Sequence, residues 1–64
     1  MAKVRYLGVP GEYEIVDMLD EHGKPHLIRR AWDNAAYRPL WYVQDSQGRV
    51  ISQHTTKRDA IASL

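Results

Sequence analysis

The chain has no cysteine, which excludes disulfides, a thiol nucleophile and the cysteine-rich class of zinc site. It has no phenylalanine, so two tryptophans and four tyrosines carry all of its aromatic surface. No apolar run approaches the roughly 18 residues that a membrane-spanning helix needs, and none has the form of a leader-peptide core. Linkers, low-complexity tracts and long blocks of one charge are also missing. The expectation is a single small domain over residues 1–64, cytoplasmic and without a membrane partner.

What is present suits a folded domain. Of the 64 residues, 44% are hydrophobic and 27% charged, with a net charge of +1, a globular balance rather than a disordered one. A chain of this length buries only about 60% of the surface that its unfolded form exposes. Its stability must come from a compact core or from a partner chain.

Gly8-Val9-Pro10-Gly11, Gly23, Pro25, Asp33-Asn34, Pro39 and Gly48 divide the sequence into short runs of strand length. The runs are Val4 to Leu7, Tyr13 to Leu19, His26 to Trp32, Leu40 to Gln44 and Arg49 to Gln53. Two turns share one pattern, Asp20-Glu21-His22-Gly23-Lys24 and Asp45-Ser46-Gln47-Gly48-Arg49. In each, Asp suits the first position because its side chain accepts following amides, and Gly suits the last, where φ becomes positive. Both read as three-residue hairpin loops closed by a glycine bulge. Counting outward from them sets Val43 opposite Ile51 and Trp41 opposite Gln53. In the first hairpin it sets Val16 opposite Ile28 and Glu14 opposite Arg30. An alternative makes Glu12 to His22 a helix, since Ile15, Met18, Leu19 and His22 also have helical spacing and Gly23 could cap it.

Thr56-Lys57-Arg58-Asp59 has the form of a capping box, with Ala60, Ile61 and Leu64 as the apolar stripe of a short helix behind it. So short a helix is unstable alone and must dock on the sheet, against Trp41, Val43 and Ile51. The fold class is therefore α+β: a small antiparallel sheet of four to five strands built from hairpins, with a C-terminal helix on one face. An SH3-like curled barrel is the alternative. The expected core is Trp41, Val43, Ile51, Ile61, Leu64, Val16 and Ile28. Residues 40 to 64, a strand, an Asp-x-x-Gly turn, a strand, then Thr and a short helix, resemble in architecture the small sheet-plus-helix DNA-binding domains at the N-termini of some phage integrases. The shared pattern covers under half of the chain and is generic to β-β-α units.

Catalytic patterns are missing. His22 and His26 are four residues apart, but Gly23 and Pro25 between them argue against a shared helix face for a metal. They read as a turn histidine and a strand histidine on the surface, with a distorted metal site that includes Glu21 as the alternative. Ser46, Ser52 and Ser63 have no nucleophile setting, and the carboxylates Glu12, Glu14, Asp17, Asp20 and Glu21 read as a solvated hairpin. No enzyme, cofactor or metal site is expected. Residues 12 to 21 hold five acids and no base, whereas residues 22 to 64 hold seven bases and three acids. Arg29, Arg30, Trp32, Tyr37, Arg38, Trp41 and Tyr42 interleave bases with aromatics, a composition that can contact phosphates and stack bases.

Two functions follow as expectations. The first is a non-catalytic protein-interaction module, binding a second copy of itself or another protein. Its dimer face would be Tyr13, Ile15, Leu19 and Leu27, left uncovered by a helix only ~12 Å long at 1.5 Å per residue. The alternative is nucleic-acid binding through Arg29, Arg30, Trp32, Arg38, Lys57 and Arg58.

Overall fold

A computed structural model describes residues 3–64. Five strands, β1 (Val4–Tyr6), β2 (Glu12–Leu19), β3 (Pro25–Asp33), β4 (Arg38–Gln44) and β5 (Val50–His54), precede one helix, α1 (Lys57–Ala62). They form one antiparallel sheet in the order β1-β2-β3-β4-β5. β1 and β5 are both free edges, so the sheet does not close into a barrel. Residues 12–19 are strand, not helix.

Both Asp-x-x-Gly loops form as their residues dictate. The Gly23 amide donates to the Asp20 carbonyl at 3.0 Å and the Asp20 amide to the Lys24 carbonyl at 2.7 Å. In the second loop, Gly48 donates to Asp45 and Asp45 to Arg49, each at 3.0 Å. Gly23 and Gly48 take φ of 74° and 86°, the left-handed region that glycine enters without a steric penalty.

The registers differ from a regular count, because each hairpin absorbs extra residues on one strand. In the second, Gln44 pairs with Val50, but Val43 pairs with Ser52 and Trp41 with His54. One residue, Ile51, is inserted and left exposed. In the first, Leu19 pairs with Pro25, but Ile15 already pairs with His26, Glu14 with Leu27, Tyr13 with Ile28 and Glu12 with Arg29. Three residues of β2 are thus unmatched on β3. Because side chains alternate faces with a period of two, an odd shift moves a whole strand segment to the other face. Ile15, not Val16, enters the core.

The core is Ile15, Ile28, Val43 and Ala60, each with no exposed surface, with Tyr13, Met18, Trp41, Ile61 and Leu64 packed around it. Leu40 is buried as well, whereas the expected core residues Val16 and Ile51 are exposed. The helix packs on β3, β4 and β5. It is anchored by Ala60, whose small side chain lets the helix approach the sheet closely.

Thr56 caps the helix from an extended conformation, φ −134° and ψ 156°, and its hydroxyl accepts the Asp59 amide at 3.1 Å. The return bond from the Thr56 amide to the Asp59 carboxylate is not made among the described residues, so one half of the box operates. Thr56→Ala is expected to destabilise the protein by ~1 kcal/mol, the usual cost of losing a capping side chain. That corresponds to about 4–8 °C in thermal melting of a domain this small. An unchanged melting temperature would show that the helix adds little to the core.

Candidate functional site

Ladder pairing divides the sheet into two faces, since directly paired residues share a face. The helix covers the face that carries Tyr13, Ile15, Ile28 and Val43. Arg30, Trp32 and Trp41 continue the same face beyond the helix, through the pairs Arg30–Trp41 and Trp32–Pro39. Tyr6 joins it from β1 through its pairing with Tyr13.

The aromatic rings on this face form a row across the sheet. Tyr6 and Tyr13 have ring centroids 5.6 Å apart, and Tyr13 and Trp41 6.0 Å apart, with tilted planes in both pairs. Two cations lie on the row. The Lys57 ammonium, at the start of the helix, is 4.4 Å from the Tyr13 ring centroid. The Arg30 guanidinium is 5.8 Å from that of Trp41. Cation–π contacts of this kind contribute roughly 0.5–1 kcal/mol at exposed sites. Among the described residues, neither cation has a carboxylate partner. Gly11 opens the space for Arg30: a Cβ there would stand 3.1 Å from the Arg30 Cβ, and the Arg30 amide donates to the Gly11 carbonyl at 2.8 Å.

The remaining candidate contacts fall elsewhere. Arg29 is on the opposite face, where its Nε donates to Glu12 at 2.8 Å, beside an Arg5–Glu14 pair at 2.9 Å. Arg38 shares that opposite face and pairs with Asp33 in the ladder, and Arg58 is exposed on the helix. The structure therefore brings Arg30, Trp32 and Lys57 to one face and separates them from Arg29 and Arg38.

The four-residue dimer face is also split. Tyr13 and Ile15 belong to the helix-covered side and Ile15 is wholly buried, whereas Leu19 and Leu27 lie on the other side through their partners Pro25 and Gln44. The cause is again the three-residue shift in the first hairpin. Tyr6 is an added member of the aromatic row. Its only signal in the sequence is an aromatic residue in the first strand, and the Tyr6–Tyr13 pairing needs the β1 register to be known.

At the other end of the sheet the two Asp-x-x-Gly loops touch. Asp20 Oδ1 accepts the His22 and Lys24 amides at 2.8 and 3.0 Å. Its Oδ2 crosses to the second loop and accepts the Ser46 amide at 2.7 Å. Asp45, almost fully buried, accepts the Gln47 and Arg49 amides at 3.0 and 2.9 Å.

The Ser46 hydroxyl beside Asp20, followed by the Ser46, Lys24 and His22 amides, holds its carboxyl far below the usual carboxylate range, against a smaller opposing effect of burial. The Ser46 hydroxyl is buried and meets no hydrogen-bond partner in good geometry; the bond that the structure shows between the two loops is the one from the Ser46 amide. The Arg49 amide, then the Gln47 amide and the Arg49 charge, likewise hold the Asp45 carboxyl down.

Arg49 bridges Glu21 at 2.8 Å and Asp45 at 3.4 Å. Ligating atoms of Glu21, His22 and Asp45 lie within 4.8 Å of one another, but the guanidinium among them already supplies the positive charge these carboxylates attract. His26 has its Nδ1 at 2.7 Å from the Met18 carbonyl. The groove beside these loops, about 220 Å³ and lined by Asp20, Glu21, His26, Asp45, Arg49 and Ile51, is smaller than the pockets that usually hold small-molecule ligands.

No family model, curated protein or solved structure matches the chain. Among the described residues, no helix is long and apolar enough to cross a membrane.

Proposed function

We propose that this chain is a non-catalytic domain that binds single-stranded nucleic acid on the open end of its helix-side face. The observation that carries the proposal is the row Tyr6–Tyr13–Trp41 with Arg30 and Lys57 seated on it and no carboxylate paired to either. Tyr6 is exposed and offers a stacking surface to a base, and the half-buried Tyr13 and Trp41 rings carry the cations that suit the phosphates. Duplex DNA hides its base faces, so a stacking surface favours single strands.

The test is fluorescence anisotropy of labelled single-stranded and duplex oligonucleotides in about 50 mM salt, where screening is weak. Single strands are expected to bind more tightly. Arg30→Ala and Lys57→Ala should each flatten the dependence of log K on log salt by about 0.7, one single-strand phosphate. Arg29→Ala should change it little, because Glu12 already holds that guanidinium. Absence of binding to either form, or equal effects of Arg29 and Arg30, would overturn the proposal.

A second function, self-association, keeps support from the face away from the helix. Val16, Leu19 and Val50 are exposed there or at its margin, beside half-buried Leu27. Two copies could bury these residues against each other about a two-fold axis. Sedimentation tests this directly, and a monomer at high micromolar concentration would remove it.

A further inference from the structure

We infer that the tip of the β3–β4 hairpin is a second base-stacking station, and that it makes binding indifferent to base sequence; the inference rests on the nucleic-acid function proposed above. Trp32 and Tyr37 flank the loop. Their ring centroids are 5.4 Å apart at 77°, edge to face. Both are exposed, Tyr37 at 82%.

Tyr37 is the one described residue other than glycine with positive φ, at 53°, a conformation that side-chain-bearing residues seldom adopt. The loop is braced at its start, where Asp33 Oδ2 accepts the Ala36 amide at 3.2 Å. An aromatic ring is thus held in solvent at a backbone cost, in contact with a second exposed ring. Such an arrangement does nothing for the core, which lies on the far side of Trp41.

The tip is suited to bases by its chemistry and its surroundings. The Trp32 indole N–H is already donated to Asn34 Oδ1 at 3.1 Å. The indole therefore presents a ring face and has no free donor with which to read a base edge. Arg30 lies two residues before Trp32 on the same face, roughly 7 Å away at strand rise, and links the tip to the Tyr6–Tyr13–Trp41 row. One carboxylate, Asp33, stands at the tip itself, where it pairs with Arg38 in the ladder and its Oδ2 is taken up by the Ala36 amide, and five others are placed away from this path. Glu12 and Glu14 are paired on the other face, and Asp20, Glu21 and Asp45 lie at the opposite end of the sheet. A single strand that follows the cations would reach both sets of rings.

Trp41→Phe leaves Trp32 as the only tryptophan, so its emission reports the tip directly. Titration with oligo(dT) should quench that emission along the same isotherm as anisotropy. Trp32→Ala should weaken binding roughly 5- to 150-fold, the range for loss of one stacked base. Tyr37→Gly, which suits the left-handed backbone, should also weaken it while far-UV circular dichroism stays unchanged. Oligo(dT), oligo(dC) and oligo(dA) should bind within about fivefold of one another, as stacking without edge readout requires.

Full affinity in the Trp32 and Tyr37 variants, with loss in Arg30→Ala, would overturn the tip station and leave the function of the face standing. A preference of more than about tenfold for one base would overturn the indifference to sequence. No binding by the unaltered protein would overturn the function and the tip station together.

Discussion

Ile15→Glu is expected to unfold the protein. Ile15 has no exposed surface and sits among Ile28, Val43 and Ala60. The substitution forfeits about 1.5–3 kcal/mol of apolar burial and leaves an unpaired carboxylate in the core, at several kcal/mol more. A domain of this size has a total stability of only ~3–10 kcal/mol. Far-UV circular dichroism and the tryptophan emission maximum would report the loss. Leu27→Glu, on the other face and half-exposed, should leave the fold intact, as should Ile15→Val at about 0.5–1.5 kcal/mol. A folded, soluble Ile15→Glu protein would mean that Ile15 is not in the core, and would restore the dimer face that the register shift dissolves.

The second large effect is acid sensitivity, located in the paired loops. The carboxyls of Asp20 and Asp45 are both held below their ordinary value of 3.8. A depressed folded-state pKa contributes stability that is fully present above the unfolded value and is lost as pH falls through the folded one. Stability should therefore be level above about pH 5 and should decline below 3.8, with uptake of up to about two protons on unfolding. Protonation of Asp20 would also weaken the one bond of its side chain that crosses to Ser46. Denaturant titrations of the unaltered protein and of Asp20→Asn and Asp45→Asn, at neutral and acid pH, would check this. The two variants should each lose part of the acid slope, and an unchanged slope in both would place the sensitivity elsewhere.

Turn chemistry made much of this architecture legible. Two Asp-x-x-Gly loops and a threonine cap mark two hairpins and the helix start, and all three form in the structure. Register was not legible, because a bulge leaves no mark in composition. Inserting Ile51 into one strand trades Ser52 for Ile51 opposite Val43. The three extra residues in β2 exchange Val16 for Ile15 in the core and Glu14–Arg30 for Glu12–Arg29 as the cross-strand ion pair.

The same parity decides which bases reach the candidate surface. Arg29 and Arg30 are adjacent and equally basic in sequence, yet one is bound to a carboxylate and the other stands over an indole. Tyr37 was visible as one aromatic among several. Its left-handed backbone, which sets it apart, arises from the loop that Asp33 closes. The bond from Asp20 to Ser46 spans 26 residues, and only the assembled sheet brings its ends together.

The bulge at Ile51 has a consequence beyond the choice of core residues. A meander with two unpaired margins is a template for recruiting further strands, whether from another copy or from an unfolded chain. Here one margin, β1, is only three residues long. The other is interrupted where Ile51 loops out of the ladder, and such an insertion bends a strand and increases its twist. An incoming strand would find no straight run of donors and acceptors on either side. The irregularity that defeats a simple count of the pairing also confines the sheet to five strands.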